Sequence, residues 1–191
     1  MLRRRQSTVV SEKVASKNAR PAPGVFVSAD SQPYGAVMPF VLGSCKVNLG
    51  IRASATGLCC IDFRPPQEPL LTPCDALTKR VIAQLQDYLS NPLRGFDLPL
   101  DLAGTPFQRR AWEELCRIPA GHPVSYGELA RRLGSGARAV GNACRRNPIP
   151  IVAPCHRVVS SRGLGGYGGA VAGEQLHFKQ ALLEHEARCA R

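Results

Sequence analysis

The chain lacks any run of about 18 uninterrupted apolar residues, the length a membrane-spanning helix requires, so no membrane partner is expected. Its first residues, MLRRRQSTVVSEKVASKNARPAPG, contain no apolar stretch of the kind a secretory signal needs, and secretion is not expected either. Cys-x-x-Cys pairs are missing and histidine is scarce, at four in 191 residues. A structural zinc site would have to gather ligands from distant segments, and no metal is expected. The eight cysteines, at 45, 59, 60, 74, 116, 144, 155 and 189, form no compact disulfide framework. Reduced thiols in a cytoplasmic protein are the expectation.

Acidic residues are also in short supply, 14 against 25 Lys and Arg, for a net charge of +11. The deficit is uneven. Residues 1–24 carry six bases and one acid, residues 25–104 six and seven, and residues 105–191 thirteen and six. A neutral middle between basic ends favours a polyanionic partner, with nucleic acid ahead of a membrane surface because no basic amphipathic helix is visible. The first 24 residues read as a solvated, disordered basic tail, although a transit peptide would share their composition. What remains, 44% apolar over the whole chain, is enough for one core or two small ones.

CKVNLGIRAS and LCCIDFR are short β-leaning runs separated by ATG, which predicts a hairpin. Thr72 before Pro73 and Asp75 reads as an N-cap with proline at N1, opening a helix on which Leu77, Val81, Leu85 and Tyr88 share a face. NPLRGFDLPLDLAG breaks the period and links two lobes. Thr105 and Gln108 then form a capping box for a helix with Phe107, Ala111 and Leu115 on one face.

Ser125 and Glu128 form a second box for YGELARRLG, stopped by Gly134. Another helix follows through Arg138, Val140, Cys144 and Arg146 until Pro148. Two short helices across a glycine turn are a helix-turn-helix pattern, and residues 125–165 hold seven bases against one acid, as DNA phosphates demand. Ala137, Ala139, Gly141 and Ala143 leave the second helix with little bulk. It can therefore pack tightly in a core or approach a narrow groove with Arg138 projecting.

In NPIPIVAPCHRVV, prolines 148, 150 and 154 forbid an α-helix, so Cys155 ends a stiff, extended, buried segment. A thiolate needs a nearby cation or proton acceptor, and His156 and Arg157 are available for both roles. On a strand, neighbouring side chains point apart, so contact between Cys155 and His156 needs a local turn or a bridging water. A buried inert cysteine remains the alternative on spacing alone.

RAVGNACRRNPIPIVAPCHRVV, with GTPFQRRAWEELCRIPAGHPVSYGELARRLG before it and GYGGAVAGEQLHFKQALLEHEA after it, resembles the O6-alkylguanine-DNA alkyltransferases. The resemblance covers residues 105–187. It implies an α/β protein with a small ribonuclease-H-like lobe at 25–101 after the 1–24 tail, then a helical domain at 102–191 with a helix-turn-helix and active-site loop. It also implies a monomer that binds double-stranded DNA through the minor groove, flips out O6-alkylguanine and moves the alkyl group irreversibly to Cys155, without a cofactor. His156 would take the thiol proton through water and Glu186 would orient the histidine. Tyr126 would donate to the departing guanine, and donors near Val158 and Ser161 would offset its charge. Arg138 would fill the space of the flipped base, with Ser125, Ala137, Gly141 and Arg145 in the DNA interface. Asn147 would tie the helices to the loop of Pro154 and Cys155, and Tyr167 would sit in a glycine-rich loop over the alkyl pocket. Gly168 there leaves room for groups bulkier than methyl.

Two alternatives stay open: a lesion-binding relative without catalysis, which Cys155 argues against, and a Cys-His hydrolase, which leaves the basic helices unexplained.

Overall fold

The computed structural model describes residues 34–190, so the basic tail at 1–24 lies outside the described residues. β1 (Ala36–Leu42), β2 (Cys45–Ala53) and β3 (Leu58–Arg64) form an antiparallel sheet in that order. β2 and β3 are the hairpin expected from sequence. β1 is an addition, obscured in the sequence by Pro39, which is exposed on an edge strand where its missing N–H costs no central ladder bond. Alternation along β2 puts Leu49 and Ile51 on one face and Asn48, Gly50 and Arg52 on the other.

α1 (Ala76–Ser90) starts later than the Thr72-Pro73 pattern predicts. Asp75 is the N-cap, taking the Thr78 N–H at 2.8 Å, and its carboxylate answers the positive end of the helix better than a threonine could. Thr78, Val81, Leu85 and Tyr88 form the buried face, with Leu77 only half-buried.

The residues between α1 and α2 (Pro106–Cys116) do more than link. Leu58 donates to the Pro99 carbonyl at 2.8 Å and accepts from Asp101 at 3.0 Å, which covers part of the free edge of β3. Farther along that edge Ile61 donates to the Pro148 carbonyl at 2.8 Å, so the segment before Cys155 is docked on the sheet. The Thr105 capping box forms in both directions. Trp112 joins Ala111 and Leu115 in the core in place of Phe107, which is half-buried.

β4 (Val124–Ser125) pairs in parallel with β5 (Val158–Val159). Next come α3 (Tyr126–Arg132) and α4 (Ala137–Arg145). Only half of the second capping box forms. Ser125 Oγ takes the Glu128 N–H at 3.0 Å, but the Glu128 carboxylate turns to Arg132 four residues on. Gly134, at φ +60°, ends α3, with Ser135 N–H bonded to the Ala130 carbonyl at 2.9 Å. Trp112 Nε1 reaches the Ala143 carbonyl at 2.9 Å and fixes α4 against α2. α5 (Glu174–Cys189) lays Phe178 against Phe40 and Phe63, with ring centroids 6.1 and 4.8 Å away. A continuous apolar cluster joins the sheet, α1, α2 and the cysteine segment in an α/β architecture.

Candidate active site

The segment before Cys155 is coiled rather than extended. Ala153 N–H bonds back to the Ile149 carbonyl at 2.9 Å, and Cys155–Arg157 make one 3-10 turn. Three prolines exclude an α-helix but leave tight turns open. Ile151 sits at φ +74°, an outlier for a β-branched residue, held there by complete burial. Asn147 closes the loop from inside: its Nδ2 donates to the Ala153 carbonyl at 2.6 Å and its Oδ1 accepts from Ile149 at 3.1 Å. Pro154 is buried and accepts the Arg157 N–H at 3.0 Å.

Cys155 opens on a cavity of about 190 Å³ bounded by Tyr126, Cys144, Arg145, Tyr167 and Gly168. Burial pushes its thiol up, and a hydrogen bond from Asn147 and the charge of Lys179 only partly offset this. The resting group is therefore a thiol that needs a base. The Tyr167 hydroxyl, buried without an oxygen or nitrogen partner among the described residues, is close enough to Cys155 to perturb it.

His156 is fully buried, with Nε2 2.8 Å from Glu186 Oε1. A carboxylate only accepts, so Nε2 carries the proton and Nδ1 is left as the acceptor. Nδ1 has no partner among the described residues. Burial pushes the imidazole down, with Glu186 opposing, so it is neutral at neutral pH.

Glu186 is the most heavily engaged side chain of the site. Burial alone would raise its carboxyl, but His156 and Arg157 outweigh burial and hold it at about 2. Arg157 Nε lies 3.1 and 3.0 Å from the two oxygens, and Nη2 is 2.9 Å from Oε1. The Tyr88 hydroxyl donates to Oε1 at 2.8 Å and the Gly121 N–H to Oε2 at 3.2 Å. Arg157 is thus committed to Glu186 and to the Ile118 carbonyl, so it is not the cation beside the thiol that the sequence suggests.

That cation is Lys179, which sequence reasoning missed. Fully buried, its Nζ donates to the carbonyls of Val158, Leu164 and Gly166 at 2.6, 2.7 and 3.0 Å, and burial lowers it to about 8. The available signal was its spacing: three residues before Leu182 and seven before Glu186, on one helical face. Tyr126 faces the same lysine, with Nζ 5.8 Å from its ring, and gives its hydroxyl to the Gly166 carbonyl at 3.2 Å. Burial pushes that phenol up, so it is a donor.

Of the other predicted residues, Gly141 and Arg145 line the cavity with Cys155, whereas Ser125, Ala137 and Arg138 lie outside it. Ala137 and Arg138 are exposed at the start of α4, and a Cβ on Gly141 would meet nothing within 4 Å. Arg145 lies against the glycine-rich loop, where a Cβ on Gly169 would meet its Nε at 2.8 Å. Ser125 is half-buried as the α3 cap, and Ser161 is exposed.

A sequence profile described as the DNA-binding domain of 6-O-methylguanine DNA methyltransferase matches residues 106–188. The methylated-DNA–protein-cysteine methyltransferase of Mycobacterium tuberculosis H37Rv is 44% identical over 124 residues, 63% of this chain and 72% of the relative. The constitutive one of Bacillus subtilis is 47% identical over 106 residues, 54% and 62% of the two chains. Among solved structures, M. tuberculosis OGT in complex with DNA aligns with a TM-score of 0.63 and 36% identity, over 80% of this chain and 93% of that one. An O6-methylguanine DNA methyltransferase from Methanococcus jannaschii aligns at 0.56 and 26% identity, over 79% and 92%. Together with a buried cysteine backed by a histidine–glutamate pair, these likenesses show that the chain belongs to the methylated-DNA–protein-cysteine methyltransferase family.

Proposed function

We propose that this protein repairs DNA by moving the alkyl group of O6-alkylguanine, directly and irreversibly, onto its own Cys155. The observation that carries this reading is the cysteine itself: a buried thiol facing a cavity, with a neutral histidine beside it in sequence whose Nδ1 is free to accept. The thiol proton passes through a water to His156 Nδ1, and Glu186 stabilises the imidazolium that forms. The sulfur attacks the alkyl carbon in line. The C–S bond forms, the carbon–O6 bond breaks, and its electron pair leaves on guanine. Tyr126, released from Gly166, donates to the departing base. The product is a thioether that water does not hydrolyse under mild conditions, so each molecule acts once.

Duplex DNA binds through its minor groove with the lesion flipped into the cavity. The exposed, low-bulk start of α4 supports this, with Arg138 filling the vacated space while Ser125, Ala137, Gly141 and Arg145 flank it. In this reading α3 and α4 are a helix-turn-helix, the sheet and α1 are a small ribonuclease-H-like lobe ending near residue 101, and the protein works as a cytoplasmic monomer. Gly168 at the cavity wall supports acceptance of alkyl groups larger than methyl.

Incubation with duplex DNA containing O6-methylguanine, followed by peptide mass analysis, tests the proposal. One methyl group on the Cys155 peptide, absent in Cys155→Ser, is expected. An unmodified Cys155 after full exposure overturns it.

A further inference from the structure

Glu186 Oε1 is shared between two parts of the chain. His156 Nε2 and the Tyr88 hydroxyl each lie 2.8 Å from it, and Tyr88 comes from α1, 98 residues before Glu186. The phenol is held rigidly. Its ring stacks on Phe96 at 5.8 Å and meets His185 edge-on at 5.6 Å, while His185 Nε2 is 3.0 Å from the Tyr88 carbonyl. A phenylalanine would fill the same space, so what the hydroxyl adds is its bond to Glu186 Oε1.

Each donor to a carboxylate oxygen disperses its charge and weakens its hold on the others. We infer that Tyr88 is a positioning residue for alkyl transfer: by occupying part of Glu186 Oε1, its hydroxyl limits how strongly that carboxylate holds the imidazolium form of His156. The base of the reaction is thereby tied to α1. This rests on the reading of Cys155 as acceptor and His156 as its base.

The other groups around the pair are accounted for. On the cysteine turn, Arg157 faces both Glu186 oxygens, and the Gly121 N–H faces Oε2. On α5, His185 turns to the Tyr88 carbonyl and Lys179 to the carbonyls of residues 158–166. Removing the Tyr88 hydroxyl changes none of these charges. It leaves more negative charge on Oε1, favours imidazolium, and raises the pH at which His156 becomes a free base.

The test is the single-turnover rate of alkyl transfer from an O6-methylguanine duplex across the acid and neutral range, for wild type and Tyr88→Phe, with an NMR titration of the His156 imidazole in each. The acid limb and the imidazole titration should both move up by about one pH unit in Tyr88→Phe, with little change on the alkaline plateau. Superimposable profiles and an unmoved imidazole overturn the inference. A merely structural tyrosine would lower stability without shifting either curve. If Tyr88→Phe does not fold, 3-fluorotyrosine at position 88, a stronger donor, should move the imidazole titration down, and an unchanged titration overturns the inference. A wild type that transfers no alkyl group refutes the functional reading instead, and the titration still decides the role of Tyr88.

Discussion

Glu186→Gln keeps the side-chain volume and removes the charge from the most heavily bonded group of the site. The carboxylate is fully buried and takes Arg157 through three contacts between 2.9 and 3.1 Å, besides His156, Tyr88 and Gly121. Glutamine offers one acceptor oxygen and an amide that is itself a donor. At least one native donor then faces a donor, and Arg157, itself buried, becomes an unpaired cation. Breaking a buried pair from one side costs about 3–5 kcal/mol, a large part of the roughly 5–15 kcal/mol that holds a typical domain together. Arg157→Met in the same chain removes the stranded charge, so the double variant should regain about 2 kcal/mol over the sum of the singles. The recovery is partial because the Ile118 carbonyl loses its donor. Urea unfolding followed through Trp112, the single tryptophan and a buried one, reads all four proteins. The reasoning fails if Glu186→Gln loses less than about 1 kcal/mol, or if the two substitutions are simply additive.

Acid should unfold the protein partly through the same residue. Glu186 is held at about 2 against an ordinary 4.5, so its contribution, about 3 kcal/mol, is full above pH 4.5 and is lost as pH falls towards 2. Unfolding free energy measured through that window should slope less in Glu186→Gln, and equal slopes would exclude the carboxylate as the cause. Arg138→Ala should slow alkyl transfer from duplex DNA by at least about tenfold through the lost help in holding the base out of the stack. Transfer from the free O6-benzylguanine base should be nearly unchanged, because Arg138 does not line the cavity. Equal losses on both substrates would remove Arg138 from the DNA step.

Local chemistry was legible wherever a few neighbouring residues decide it. The Thr105–Gln108 box, the Gly134 stop and the β2–β3 hairpin each depend on a handful of consecutive positions, and each forms. Thr72 and Asp75 illustrate the limit of that reasoning: both are good caps three residues apart, and Pro73 suits N1 of the longer helix. The choice falls to Asp75, whose carboxylate takes both the N–H and the hydroxyl of the buried Thr78. β1 was hidden because an edge-strand proline reads as a break unless the edge is known.

The site divides along the same line. Cys155 and His156 stand out by adjacency, but the groups that govern them come from afar: Tyr88 on α1, and Lys179 and Glu186 on α5. Local pattern reads each of these as a surface or core residue, since their meeting depends on the cysteine segment docking on β3 through Ile61 and Pro148. Assigning Arg157 to the thiol fails for an electrostatic reason. A buried carboxylate must be neutralised, and Arg157 is the guanidinium bonded to both oxygens of Glu186. Lys179 instead is bound by carbonyl dipoles and forms no ion pair with a carboxylate among the described residues. Its charge is therefore not cancelled locally, and its field reaches the Cys155 sulfur. Two buried cations thus act oppositely: Arg157 quenches the Glu186 carboxylate that His156 is bonded to, and Lys179 favours the thiolate form of Cys155.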